Sequence, residues 1–425
     1  MESRADAQAF TALWQAPSNS CDESGRCLQQ AVAQHAYTQV SGSDQARVIS
    51  VKTERIREAP PLPFSLGTLQ EVCSRRFGMD VQDTLAVAQA LYEKHKATTY
   101  PRSDTGYLPE SMLADVPVVL QAIVKTDPAI RPLVEQLAPQ QRSRAWNDNK
   151  VTAHHGIIPT QEAANLAAMD DKERKVYGLI RAHYLAQFLP HHEYDQTVAH
   201  FDCTGHILQA NGKQVIASGW QQALGSKPTD QGEDTQARSN ARSQTLPPLA
   251  EGDRCAVRSA DLKAQETQPP KPYTQGDLVA AMKGVARFVS DPRLKEKLRD
   301  TTGIGTEATR ASIISGLLSR GYLVQKGRSI RSTDAARALI AAVPAAITDP
   351  GTTAVWEQAL DMIGTGQLSL HDFIKKQSAW VTQLVQHYRG TRLNIKASPQ
   401  RRATASPGKR SKPAAKRSTA TTANR

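Results

Sequence analysis

The chain has 425 residues, 39% of them hydrophobic, with a formal net charge of +12 and a pI near 9.5. That length allows two or three domains around a sizeable core. No apolar run reaches the ~18 residues a membrane span needs, and MESRADAQAF lacks the basic start and apolar stretch of a secretory signal.

A surplus of positive charge points to a polyanionic partner. From Lys396 to Arg425 there are nine Lys or Arg and no acid, which leaves 12 − 9 = +3 for the other 395 residues. This tail is rich in Ser, Thr, Ala and Pro without apolar periodicity. It reads as a disordered basic segment, 393–425, whose Lys409 and Arg410 hold nucleic acid non-specifically by releasing counterions. Cys21, Cys27, Cys73, Cys203 and Cys255 make neither CxxC pairs nor a zinc set. They read as reduced structural residues of a cytoplasmic protein, and no metal ligands are assigned.

In chain order, the alternation over Ala46–Thr53 predicts a strand, broken by Pro60, Pro61 and Pro63. Ser65 is placed to cap a helix carrying Leu69, Val72 and Cys73. A second helix, about Val81 to Lys94, presents Leu85, Ala86, Ala88, Leu91 and Tyr92. Pro117 suits the first turn of a helix to about Lys125, with Val119, Ala122 and Ile123 inward. Residues 171–194 read as a helix with Val176, Leu179, Ile180 and Leu185. Thr197–Asp202 and Lys213–Ala217 read as antiparallel strands joined through Gly205 and Gly212, and Thr229–Thr245 as a polar, flexible insertion. Thr274 with Asp277 forms a capping-box signature before Leu278, Met282, Val285 and Val289. Thr306 is the expected cap of the helix holding Ile313, Ile314, Leu317 and Leu318. A small hairpin follows at Gly321–Val324 and Ser329–Thr333, giving a helix-plus-wing pattern. Residues 345–392 read as helical, with Trp356, Leu360, Ile363, Phe373, Trp380 and Leu384 as core. No internal repeat is evident.

The segment Thr98-Thr99-Tyr100-Pro101-Arg102-Ser103-Asp104 carries the chemistry. Pro101 disfavours helical geometry at Tyr100, so the hydroxyl sits at a loop or strand end. Phenols titrate near pH ~10, so a tyrosine nucleophile needs a neighbouring cation or base. Arg102 is always charged, and its planar fork suits phosphate oxygens. Asp104 either orients Arg102 or simply forms the turn.

The run from Pro61 to Pro109 resembles the active-site region of type IA DNA topoisomerases, most nearly the topoisomerase III branch with its TTYPRSD-type motif. Two further blocks agree in order and spacing: Ala153-His154-His155-Gly156-Ile157-Ile158-Pro159-Thr160, and Gly303-Ile304-Gly305-Thr306-Glu307-Ala308-Thr309-Arg310. The resemblance covers roughly Trp14 to Pro344. It implies that Tyr100 attacks a backbone phosphate to give a 5′-phosphotyrosyl link, that the other strand passes, and that the break is resealed. Arg102 and His154 are the implied helpers. Ser103, Asp104, His155, Gly305, Thr306, Thr309 and Arg310 are the implied DNA contacts. Two glycines and free N–H groups near Thr306 suit a phosphate, and Arg310 one turn on is expected to reach the same one. Gly156 departs from the alanine usual in the second block.

Family members also carry a TOPRIM metal-binding domain with an early glutamate and lysine and a DxDxE cluster that binds Mg²⁺. No DxDxE occurs here. Asp170-Asp171 with Glu173, and Glu233-Asp234, read as solvated surface. The SVGRVQTPT-like segment is also absent. The expectation is a TOPRIM-less polypeptide that binds single-stranded DNA but relaxes supercoils poorly unless a separately encoded TOPRIM piece completes it, Mg²⁺ belonging to that piece.

The expected fold is mixed α/β and multidomain: mainly helical, winged-helix-like DNA-binding modules plus the β-rich gate domain of type IA enzymes. The expected boundaries are 1–63 for the first part of the gate, 64–195 for a helical domain with the active-site tyrosine, and 196–272 for a return to the gate. A helical DNA-binding domain then spans 273–392. The competing reading is a catalytically incomplete single-strand-binding accessory protein. A tyrosine recombinase or relaxase lacks support, since neither a dispersed Arg/His set around a C-terminal tyrosine nor a His-rich metal triad occurs.

Overall fold

The computed structural model describes residues 8–151, 153–225, 244–299 and 303–390. Most of the Thr229–Thr245 insertion and the basic tail with Lys409 and Arg410 lie outside the described residues.

Five strands form one antiparallel sheet: β1 (Leu13–Trp14), β2 (Gln45–Glu58), β3 (His192–Cys203), β4 (His206–Ala217) and β5 (Arg254–Ala256), in the order β1-β4-β3-β2-β5. β2 runs five residues past the alternation that announced it, ending at Glu58, just short of the prolines. It pairs with β3 from Arg47↔Asp202 to Glu58↔His192. The β3–β4 hairpin turns at Thr204 and Gly205, both at positive φ (52° and 81°). That is the two-residue turn whose twist matches its strands. Gly212 lies inside β4 rather than at a turn, where the Leu246 side chain approaches its backbone so closely that a Cβ would sit 2.7 Å from Cγ. Val48, Ala199, Phe201, Cys203 and Ala210 form the buried face, covered by Val40 of helix α1 (Gln30–Ser41).

Four helices build the central body: α2 (Leu66–Phe77), α3 (Val81–Glu93), α4 (Val116–Thr126) and α5 (Asp171–Leu185). Ser65 and Thr68 close the capping box of α2, and Gly78 ends it in the left-handed conformation (φ 65°). Asp170 and Glu173 do the same job at the start of α5, so that acidic pair is a cap. α5 stops at Leu185 because the chain must enter β3 at His192, well short of the 194 that periodicity suggested. Leu69, Cys73, Ala88, Leu91, Val176 and Ile180 form one core with Phe64 and Ile157. α4 contributes Val119, Leu120 and Ile123 to a second, with Trp146, Tyr184 and Phe188. Ala86 and Tyr92, expected inward, face solvent.

The third region comprises α6 (Gln275–Lys283), α7 (Pro292–Arg299), α8 (Arg310–Ser319), the hairpin β6 (Leu323–Lys326) and β7 (Ser329–Ser332), then α9 (Asp334–Ala342), α10 (Gly351–Gly364) and α11 (Leu370–Tyr388). It is joined to the central body through Leu66, Val81 and Leu85, which pack with Val279, Met282, Ala311 and Ile314. Gly276 permits this contact, since a Cβ there would lie 2.7 Å from that of Ser74. Among the described residues, the expected core of 345–392 does not form. Trp356 and Leu360 are exposed, and Ile363, Phe373, Trp380 and Leu384 are only partly covered. α10 and α11 meet at the edge-on rings of Trp356 and Trp380, 6.1 Å apart, and only Gly351 and Ala354 of the two helices are buried.

Candidate active site

Tyr100 follows α3 in a short extended segment that is pinned on one side by the 156–160 block. Thr98 and Pro159 form an antiparallel bridge, and Phe64 and Ile157 form another. The Thr99 amide donates to the Ile158 carbonyl at 2.9 Å, and the Ile158 amide donates back to Thr99 Oγ1 at 3.0 Å. Thr99 Oγ1 also donates to the Gly156 carbonyl. Two blocks separated by more than fifty residues are therefore locked side by side.

Tyr100 itself is 38% exposed. Its ring stacks on His154, with centroids 4.5 Å apart and planes inclined at 22°, and the Tyr92 ring meets it edge-on at 5.8 Å. The exposure of Tyr92 thus serves the tyrosine rather than the core. Among the described residues the Tyr100 hydroxyl has no hydrogen-bond partner, and the half-buried Arg102 makes no ion pair or side-chain hydrogen bond. His155 turns away, its Nδ1 2.8 Å from the Gly156 carbonyl, as a donor in that tautomer. Asp104 is exposed, while Ser103 is wholly buried: its hydroxyl donates to the Thr105 carbonyl and accepts from the Thr105 amide.

Glycine at 156 has a local reason. A Cβ there would lie 3.0 Å from the Gly106 carbonyl oxygen and 3.1 Å from Pro63 Cβ. Gly106 is tighter still, since a Cβ would come within 2.3 Å of the Pro63 carbonyl oxygen. The proline run and the tyrosine loop therefore approach backbone to backbone.

The 303–310 block lies across α2. Gly303 and Gly305 adopt positive φ (83° and 68°), and the Ile304 amide donates to the Met282 carbonyl at 2.9 Å. Thr309 rather than Thr306 occupies the cap position of α8, which begins at Arg310, but its side chain accepts from no helix amide; its Oγ1 accepts from the Thr306 amide instead. Both threonines are exposed. Arg310 is not, with only 1% of its surface accessible. Its guanidinium pairs with Glu307 at 2.9 Å and donates to the carbonyls of Ile304 and Gly305. The arginine expected to face a phosphate instead braces its own loop. Sequence reasoning singled out Arg310 and passed over Glu307; the signal for the pair was their i, i+3 spacing.

Residues 3–375 match the model of a family described as DNA topoisomerase. The chain belongs to the DNA topoisomerase family. Within it, the chain is of the type IA, topoisomerase III branch. It is 39% identical to DNA topoisomerase 3 of Salmonella typhimurium over 425 residues, 96% of this chain and 63% of that protein. Against the Haemophilus influenzae protein of the same name the identity is 39% over 88% of this chain and 56% of the relative. For Bacillus subtilis it is 33%, over 91% and 52%. This topoisomerase-family chain thus spans about three-fifths or less of the curated relatives it matches. Its fold resembles full-length topoisomerase I of Thermotoga maritima, with a TM-score of 0.61 at 20% identity, covering 82% of this chain and 54% of the other. No helix among the described residues is long and apolar enough to cross a membrane. The family implies Mg²⁺. The described residues bring no three His, Cys, Asp or Glu side chains together in a group able to hold a metal ion, so they do not fit that role.

Proposed function

We propose that this chain carries the DNA-cleaving half of a type IA topoisomerase reaction on single-stranded DNA, with Tyr100 as nucleophile. The observation that carries the reading is the partly exposed Tyr100, its ring stacked on His154, its hydroxyl without a hydrogen-bond partner among the described residues, and Arg102, unpaired among those residues, two positions on. A phenol committed to a structural hydrogen bond would be poorly placed to attack; this one is not so committed.

In the proposed step the Tyr100 oxygen attacks a backbone phosphorus and forms an O–P bond, while the P–O3′ bond breaks. The phenol loses its proton and the departing 3′-oxygen gains one, so the step is neutral overall and its reversal reseals the strand. Phosphoryl transfer depends on positioning and charge neutralisation. Arg102 supplies a fixed positive charge to the phosphate oxygens, and the His154 imidazole stands where it can hydrogen-bond phosphate or move a proton. Ser103 shapes the loop, and Asp104, His155, Gly305, Thr306 and Thr309 lie along the path proposed for the strand.

The test is a covalent adduct on a short single-stranded oligonucleotide, trapped by denaturation. An adduct formed by the chain and lost in Tyr100→Phe is the expected result. Binding without adduct, also when a relative's TOPRIM domain is supplied, would favour the accessory single-strand-binding reading.

A further inference from the structure

Glu307 is 6% exposed, yet one of its carboxylate oxygens, Oε2, has no hydrogen-bond partner. A buried unpaired carboxylate oxygen is costly and calls for a reason. The other oxygen is held by Arg310 at 2.9 Å, with Lys283 at 3.7 Å. Oε2 points into the first turn of α2, where a Cβ added to Gly67 would stand 2.6 Å away. Gly67 is thus the residue that lets a carboxylate reach the amino-terminal end of α2, where negative charge is favoured by the helix dipole.

The same turn grips the tyrosine loop. The amide of Leu66, the first residue of α2, donates to the Ser103 carbonyl at 2.9 Å. Ser103 is wholly buried, as is Pro101, and Arg102 lies between them. Fixing the Ser103 carbonyl therefore fixes the direction in which Arg102 and Tyr100 leave the body. Arg310 holds Glu307, Glu307 lies against the first turn of α2, and that turn holds Ser103.

We infer that Glu307 is a positioning residue for the nucleophile loop, acting through the first turn of α2 and clamped in place by Arg310. The inference rests on Tyr100 being the nucleophile, but its test does not. Amide exchange, read by mass spectrometry on the DNA-free chain, should rise about tenfold at Leu66 and over residues 99–106 in Glu307→Ala, with the carboxyl-terminal turns of α2 unchanged. Gly67→Ala, which leaves the Glu307–Arg310 pair chemically intact but places a methyl against Oε2, should raise exchange in the same two places. The double variant should be less than additive, because both changes act on one contact. Exchange at Leu66 and 99–106 that stays at the wild-type level in either variant overturns the inference. So does a rise spread evenly over the chain in Gly67→Ala, the milder of the two. If Glu307→Ala does not fold, Gly67→Ala alone decides. Adduct formation by the wild-type chain separately tests the nucleophile, so the two failures are distinguishable. Where adduct forms, its yield in Glu307→Ala should fall about tenfold and should recover no further at saturating oligonucleotide.

Discussion

Arg102 and Arg310 come from two short motifs that both read as phosphate-binding, and they end in opposite environments. Arg102 leaves a loop after Pro101 with no partner among the described residues, whereas Arg310 is sealed in, its charge matched by Glu307 and further donors given to the carbonyls of Ile304 and Gly305. Residue type is the same, so the difference lies in backbone register. Arg310 opens α8 one position before Ala311 and four before Ile314, both fully buried against Leu66 and Val279. The face it occupies is committed to the core, and an arginine there must bring its own counter-charge. Arg102 has no helix to commit it.

The sharpest way to break this contrast is to truncate both. Arg310→Ala leaves the Glu307 carboxylate buried, with Lys283 as its remaining cation among the described residues, and should cost about 3–5 kcal/mol of stability. Denaturant unfolding with unchanged slope checks this. Arg102→Ala should shift stability by no more than ~0.5 kcal/mol while lowering adduct yield about 100-fold. If the two variants destabilise equally, the division between a bracing and a reactive arginine is wrong.

His183 sharpens the same lesson, because it can shed the charge that Arg310 cannot. It lies against Phe64 with ring centroids 3.9 Å apart, and its Nδ1 is 3.0 Å from the Leu62 carbonyl. Burial first, with Arg76 nearby as a smaller cause, lowers its pKa to about 4 despite the Leu62 bond. In the unfolded chain an imidazole titrates near 6.5. Between those values the unfolded state binds more protons, so this contribution to stability is present above about pH 6.5 and lost as pH falls towards 4. Its size is on the order of 3 kcal/mol. Melting temperature measured over that range should drop in the wild-type chain and drop less in His183→Gln, whose amide can donate to Leu62 without titrating. Equal slopes for the two would show that other groups govern the acid limb.

Much of the central body and of the region after it was legible in the sequence because the signals were local. Ser65 before an apolar 3–4 repeat and Thr274 with Asp277 each accept from a backbone donor, Pro117 removes a donor that the first turn would leave unpaired, and the helices begin beside them. What was not legible required knowing a neighbour. The apolar positions of α10 and α11 have helical spacing but the described residues cover most of them only in part, so periodicity overstated the core. Gly212 carries a turn residue's identity but serves a close approach by Leu246. At the site, Tyr100 was visible from its motif, while its stacking on His154 depends on the Thr98–Pro159 bridge, a pairing across about sixty residues. The inward turn of Arg310 was equally hidden, since a single motif does not say which face of its helix is spent.

The basic tail extends the comparison to charges that no motif constrains. Nine Lys or Arg follow Ile395 without a compensating acid. If they meet DNA, each phosphate neutralised on a single strand adds about 0.7 to the slope of log affinity against log salt. Deleting residues after Ile395 should therefore flatten that slope by several units and weaken binding most at low salt. Adduct yield at saturating oligonucleotide should be unchanged, because these charges add encounter and hold rather than alignment. A salt slope equal to that of the intact chain would remove Lys409, Arg410 and their neighbours from the DNA contact. A loss of adduct at saturation would mean the tail does what Arg102 is proposed to do, and the distinction between placed and unplaced charge would fail at its weakest point.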